Sequence, residues 1–185
     1  MEKYINAPMD KGTAKTLQAG DFVYISGTIY TARDAAHKRM YEAQLKNEPL
    51  PISLKDNIIY YLGPTPAKPG QVIGSAGPTT ASRMDKYAPI LLDEGQTGMI
   101  GKGKRSPEVI ASMQKNGAVY FAAIGGAGAL LSKCIKKSEV VAYEDLGTEA
   151  IRKLEVENFP VIVVIDSYGN DMYQTAVEEY KKTMN

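Results

Sequence analysis

The chain has 185 residues, enough to bury one sizeable core, and its simplest organisation is a single domain, 1–185. Its 22 Lys and Arg against 21 Asp and Glu leave a formal charge of +1, which excludes a whole-molecule field directed at nucleic acid or a membrane, so any anion selectivity must be local. One cysteine, Cys134, and one histidine, His37, exclude an intrachain disulfide and a Cys/His zinc cage.

Met1-Glu2-Lys3-Tyr4 lacks the apolar core of a signal peptide, and no apolar run approaches the length of a membrane span, so a cytoplasmic location is expected. Residues 1–20 say little about chemistry. Residues 21–27 are β-branched and aromatic and predict a strand, with Gly27 at a bend or a close backbone approach. Thr31-Ala32-Arg33-Asp34 has the spacing of a capping box, Thr31 at the cap, and predicts a helix to about residue 46 that packs through Ala35, Ala36, Met40 and Ala43. Arg33 then falls in the first helical turn, where it is either an anion ligand or a solvated surface residue. His37 lies four residues on, on the same face; it has the one side chain titrating near neutrality, and the alternative to an acid–base role is packing or hydrogen bonding.

Residues 47–55 read as a connector and 57–62 as a strand, and the Gly/Pro punctuation of 63–70 suggests that this part is β-rich. Gly74-Ser75-Ala76-Gly77-Pro78-Thr79-Thr80-Ala81-Ser82-Arg83-Met84-Asp85 follows. Its glycines and proline fix a tight loop, and Thr79 or Thr80 is placed to cap a helix expected to run to about residue 92. Arg83 comes one helical turn after Thr79, so a hydroxyl and a planar guanidinium can face one carboxylate or phosphate. The same residues also read as an N-cap followed by a solvated arginine.

Met99-Ile100 predicts a short strand ending in Gly101-Lys102-Gly103-Lys104-Arg105, either a solvated turn or an anion site. Ser106-Pro107 then starts a helix over 107–116 that Gly117 stops. Strand ends that feed helix starts are where α/β proteins place ligands. Residues 118–124 form a continuous apolar strand, and Gly125-Gly126-Ala127-Gly128, an apolar helix and a strand over 139–144 imitate a dinucleotide fingerprint without its third glycine, so an NAD-binding module is a competing reading. Two further strands, over 154–157 and 160–166, a turn over 167–171 and a helix over 172–182 complete an α/β chain with a mixed sheet and flanking helices.

The motif Gly-Pro-Thr-Thr-Ala-Ser-Arg-Met-Asp, together with Ser26-Gly27-Thr28-Ile29-Tyr30-Thr31-Ala32-Arg33-Asp34-Ala35-Ala36-His37 and Gly101-Lys102-Gly103-Lys104-Arg105-Ser106, resembles the beta subunit of iron–sulfur fumarate and tartrate hydro-lyases. The same unit forms the C-terminal half of single-chain class I fumarases. The resemblance covers nearly the whole chain and implies that family's swivelling β/α domain. It also implies a hetero-oligomer with an alpha subunit, a dicarboxylate substrate bound by Arg33, Arg83 and Lys102, and Thr79 as the proton-transfer group, with Thr80 and His37 as secondary candidates. Lys104 stands where the family pattern has a neutral residue. A 4Fe-4S cluster is held mainly by several thiolates, so the cluster this resemblance implies belongs to the alpha subunit and not to a chain with one cysteine. Fumarate hydratase is the expected activity, with L(+)-tartrate and methyl-substituted dicarboxylates as alternative substrates.

Overall fold

The computed structural model describes residues 1–124 and 128–184. β1 (Glu2–Ala7) and β2 (Phe22–Thr31) lie side by side in parallel, joined through α1 (Lys11–Lys15). α2 (Asp34–Leu45) leads to β3 (Ile58–Tyr60), the long 61–79 loop and α3 (Ala88–Leu92) lead to β4 (Gly98–Gly101), and α4 (Pro107–Asn116) leads to β5 (Val119–Ala123). These strands are parallel and adjacent in chain order, as crossover connections dictate. α5 (Gly128–Ser132), β6 (Ile135–Ala142), β7 (Ile151–Ile165) and α6 (Met172–Thr183) follow.

β7 closes the architecture. It runs antiparallel to β5 and also antiparallel to β2, while β6 adds to its other part. Among the described residues the order is β1-β2-β3-β4-β5-β7-β6, and the β2–β7 pairing joins the sheet back on itself. The two strands expected at 154–157 and 160–166 are therefore one strand. Pro160 does not interrupt it, and the strand shifts register against each of its three partners, which lets its successive parts pair with different strands.

Alternation along the parallel strands sorts side chains into two cores. Ile58, Tyr60, Leu62, Ile100, Val119 and Phe121 point into the enclosed side, where they meet Ile25, Ile29, Phe159 and Val161. Ile59, Tyr61, Met99 and Tyr120 point outward beneath α2, α3 and α4. Strands buried on both faces read as continuous apolar runs, which is why 57–62 and 118–124 were legible. The bend expected at Gly27 is present: the β2–β7 register shifts between Ile25 and Gly27, and a Cβ on Gly27 would lie 2.2 Å from the Ala7 carbonyl oxygen on β1.

Several local expectations are corrected. Thr31 is not a helix cap but the last residue of β2; it is fully buried, and its hydroxyl accepts from the Arg152 N–H at 3.1 Å. The cap position of α2 is Arg33, without a side-chain cap bond, and the first-turn amide of Ala35 is instead held by Glu149 Oε1 at 3.2 Å. The 61–79 segment is not β-rich: it holds no strand. The helix expected from Thr79 or Thr80 to residue 92 is broken into a 3-10 turn, Ala81–Met84, and α3, because Pro89 at the start of α3 cannot extend a helix from above. Neither threonine hydroxyl caps it. Ser106, by contrast, caps α4 as expected, accepting from Val109 N, and Gly117 ends it in the left-handed conformation.

The Gly125–Ala127 part of the glycine turn lies outside the described residues. Around it, β5 and β6 are not paired; β7 lies between them and is antiparallel to both, so this segment is not the parallel βαβ unit of a dinucleotide fold. Among the described residues no helix is long and apolar enough to cross a membrane.

Candidate functional site

Arg33 follows the carboxyl end of β2, Lys102 follows the carboxyl end of β4, and Thr79, Thr80 and Arg83 lie in the connection between β3 and β4. Parallel neighbours end on one side, so the topology brings to one edge residues that are far apart in sequence.

The loop after β3 is shaped by backbone pairing. Tyr61 N makes a β3–β4 bond to Ile100 O at 2.8 Å, after which the chain leaves the sheet. It returns at Thr79, whose N–H donates to Tyr61 O at 2.7 Å. Lys102 N then donates to Thr79 O at 3.2 Å and Ala81 N to Lys102 O at 2.8 Å, so 79–81 takes over the place beside β4 that β3 has vacated. The approach needs glycine at 101, where a Cβ would sit 2.9 Å from the Tyr61 ring and 3.3 Å from Thr79 O. Inside the loop the buried Tyr60 hydroxyl donates to Ala76 O, Ala76 N donates to Gly128 O at 3.1 Å, and Ser75 N donates to Thr65 Oγ1 at 2.7 Å. Thr79 is thus held on both sides through its backbone, and among the described residues neither its hydroxyl nor that of Thr80 has a hydrogen-bond partner.

Arg83 is half-exposed on the 3-10 turn. Its Nε donates to Asp34 Oδ2 at 2.8 Å, and its Nη2 lies 2.7 Å from the same oxygen. Arg33 Nε is 3.7 Å from Asp34 Oδ1 and 3.8 Å from Glu149 Oε1. The Arg33 side chain lies over Gly63, where a Cβ would come within 2.6 Å of its Cδ. The two arginines therefore meet around one carboxylate, although 49 positions separate Asp34 from Arg83. Asp34 was legible only as the acid of a capping box.

The basic run divides sharply. Lys102 and Lys104 are exposed and, among the described residues, form no ion pair. Arg105 turns inward: its side chain is fully buried, Nε donates to Asp85 Oδ1 at 2.7 Å, Nη2 donates to the Tyr61 hydroxyl at 3.2 Å, and the guanidinium stacks 5.2 and 5.0 Å from the Tyr61 and Tyr120 ring centres. Asp85 also accepts from Ser106 N at 2.8 Å, so this acid ties the threonine–arginine loop to the start of α4. Neither Arg105 nor Asp85 was a sequence candidate. The signal available was the acid that closes the loop motif together with the arginine that ends the basic run.

His37 lies inside the outer core, 1% exposed, with its ring edge-on to Tyr61 at 5.1 Å. Its Nδ1 is 2.9 Å from Arg33 O, and because a carbonyl only accepts, that nitrogen carries the proton. Burial lowers its pKa from 6.5 to about 4; the Arg33 carbonyl pulls the other way, and the Arg105 charge lowers it further. It is a neutral, packed imidazole at pH 7. Since its folded pKa is depressed, the unfolded chain binds a proton that the folded chain refuses between about pH 6.5 and 4, so stability is lost as pH falls through that window. A shift of that size corresponds to about 3 kcal/mol at most. We expect the melting temperature of His37→Gln, which keeps a polar partner for Arg33 O but cannot titrate, to fall less steeply than wild type between pH 6.5 and 4 in paired thermal melts.

Cys134 is half-buried, and burial raises its thiol pKa, the opposite of what a thiolate ligand requires. Among the described residues no group of three or more His, Cys, Asp or Glu side chains converges. These residues do not fit an iron–sulfur cluster. A cavity of about 640 Å³ opens elsewhere, between 65–75 and the α5–β6 junction, and none of the four principal candidates lines it. Arg83 and Lys102 are exposed beyond the strand ends, and Arg33 and Thr79 are half-buried there. Chemically, two planar forks and an ammonium can hold carboxylates, and the Thr79 main chain pairs with that of Lys102.

A model of the family described as fumarase C-terminus matches residues 3–176. The chain is 41% identical over 173 residues to fumarate hydratase 2 of Leishmania major, covering 91% of this chain and 30% of that protein. It is 41% identical over 179 residues to the anaerobic class I fumarate hydratase of Escherichia coli, covering 95% and 33% respectively. It is also 38% identical over 189 residues to the putative L(+)-tartrate dehydratase subunit beta of Methanocaldococcus jannaschii, covering 99% and 97%. The chain thus spans about a third of the length of the fumarate hydratases it matches and nearly all of the last protein.

Proposed function

The chain belongs to the fumarase C-terminus family, and from that premise we propose that it is the beta subunit of a heteromeric hydro-lyase that interconverts fumarate and malate. The observation that supports this reading is that Arg33, Lys102 and the Thr79–Arg83 segment follow the carboxyl ends of the parallel strands β2, β4 and β3, in a chain with a single cysteine.

Removing or adding water across a dicarboxylate requires cationic donors on both carboxylates and a group that exchanges the proton beside one of them. Arg33, Arg83 and Lys102 grip the carboxylates, and Thr79 exchanges the proton. A threonine hydroxyl is a weak base in water, so this role depends on the neighbouring cations and on exclusion of solvent to stabilise its ionised form. Both conditions are met only when a partner covers the exposed edge. That partner is an alpha subunit carrying the 4Fe-4S cluster, which would supply the Lewis acidity the reaction needs. The complex is cytoplasmic, where a lone free thiol is stable.

L(+)-tartrate is the second substrate reading. It is favoured by the near-complete span of a relative described as a tartrate dehydratase beta subunit.

The test is to purify the chain alone and with its alpha subunit anaerobically, and to follow hydration of fumarate and dehydration of L(+)-tartrate. We expect the chain alone to show neither activity nor iron–sulfur absorbance, and activity to appear with the partner. Cluster absorbance reconstituted on the isolated chain and lost in Cys134→Ser would overturn the division of labour between subunits.

A further inference from the structure

We propose that Asp34 is a positioning residue that sets the orientation and separation of the two arginines that grip the dicarboxylate; the inference rests on the function proposed above. The carboxylate stands between two guanidiniums brought together from different strand ends. Oδ2 takes the Nε and Nη2 edge of Arg83 at 2.8 and 2.7 Å. Oδ1 is buried without a hydrogen-bond partner and faces Arg33 Nε, which is also buried and unpartnered, at 3.7 Å. Glu149 stands on the far side of Arg33 Nε at 3.8 Å, so Arg33 is flanked by two acids while no described residue hydrogen-bonds its Nη atoms. Arg83 is thus held by its Nε and Nη2 edge and Arg33 by ion pairing at Nε alone, which leaves Nη1 of Arg83 and the Nη atoms of Arg33 for a ligand.

The electrostatics explain why an acid belongs here. Two like charges at close quarters repel and splay apart, and a half-exposed arginine on a short 3-10 turn has many rotamers to lose before it can bind. One carboxylate shared between them offsets the repulsion and removes that freedom in advance. An ordinary surface ion pair would do neither, and its loss would pass unnoticed by the substrate. A competitor for Arg83 would do the opposite: its removal would free the fork and tighten substrate binding. The three roles therefore predict different signs.

The experiment compares wild type, Asp34→Asn and Asp34→Glu in the assembled complex with its alpha subunit, using fumarate and L(+)-tartrate. Asp34→Asn should raise KM roughly tenfold and change kcat by no more than about threefold, the pattern of lost ground-state binding. Asp34→Glu restores the charge and should recover part of the KM. Inhibition by succinate should weaken more than inhibition by acetate, since one arginine still suffices for one carboxylate. In NMR spectra of the isolated chain, the Arg83 Nε–H signal should be protected from solvent exchange in wild type and lose that protection in Asp34→Asn. An unchanged or lowered KM in Asp34→Asn, or an Nε–H signal indifferent to the substitution, would overturn the positioning role while leaving the hydro-lyase reading intact. A wild-type complex inactive on both substrates would overturn the proposed function, and this inference with it.

Discussion

Thr79→Val is expected to remove most of kcat in the assembled complex, by a factor on the order of 10² or more, with KM near the wild-type value. Valine matches threonine in shape, and the site around it is held by main-chain bonds that the substitution leaves in place: Thr79 N to Tyr61 O, and Lys102 N to Thr79 O. The hydroxyl itself has no partner among the described residues, so its loss strands no buried donor and should leave thermal stability unchanged. Only the chemistry is removed. Thr79→Ser keeps a hydroxyl with more rotameric freedom and should retain partial activity. Steady-state kinetics on the three proteins, with exchange of the substrate C–H for deuterium followed separately by NMR, provides the measurement. Exchange at the wild-type rate in Thr79→Val would assign proton transfer to a group on the partner chain.

Arg105→Gln should be the most destabilising change in this region. The guanidinium is fully buried between the Tyr61 and Tyr120 rings and hydrogen-bonds both Asp85 and the Tyr61 hydroxyl. Breaking a buried pair by removing one partner costs about 3–5 kcal/mol, because the remaining charge keeps its desolvation cost without its counter-ion. For a chain of this length that corresponds to a fall of about 10 °C in melting temperature. Arg105→Lys should recover little, since an ammonium cannot stack on two rings and bridge Asp85 to Tyr61 at once. Exposed Lys104→Ala should leave melting unchanged. Calorimetry on the three variants decides the matter, and equal melting of Arg105→Gln and Lys104→Ala would mean that the pair contributes nothing to the fold. Asp85 belongs to the loop that carries Arg83, so activity should fall in Arg105→Gln even well below its melting temperature.

Much of this was readable in order along the chain. The apolar runs at 57–62 and 118–124, the Ser106 cap with Gly117 as its stop, the turn at 167–171 and the terminal helix are local signals, and each is present where expected. Local chemistry also marked Arg33, Thr79 or Thr80 with Arg83, and the 101–105 basic run, because hydroxyls and cations at loop and helix starts stand out without any knowledge of the fold. The family resemblance picked Lys102 within that run and Thr79 of the two threonines. The places where that reading failed share a cause. Thr31 looked like a cap until β7 supplied a backbone N–H for its hydroxyl from 121 positions away. The helix from Thr79 looked continuous until 79–81 was drawn into pairing with the end of β4.

By itself, then, the sequence determined which segments alternate between faces, where the 107–116 helix and the terminal helix start and stop, and that one thiol cannot hold an iron–sulfur cluster, since all of these depend on composition or on neighbours within one turn. Only the tertiary structure decided which strand pairs with which, that 151–165 is one strand closing the sheet rather than two, and that Arg105 enters the core while Lys102, three residues earlier, stays in solvent. It alone placed Asp34 between Arg33 and Arg83 and made His37 a packed neutral ring. Periodicity reports which faces of a segment are apolar; the identity of the neighbour across a face, and the field it imposes on a charge, is set by chain closure over tens of residues, which no local pattern encodes.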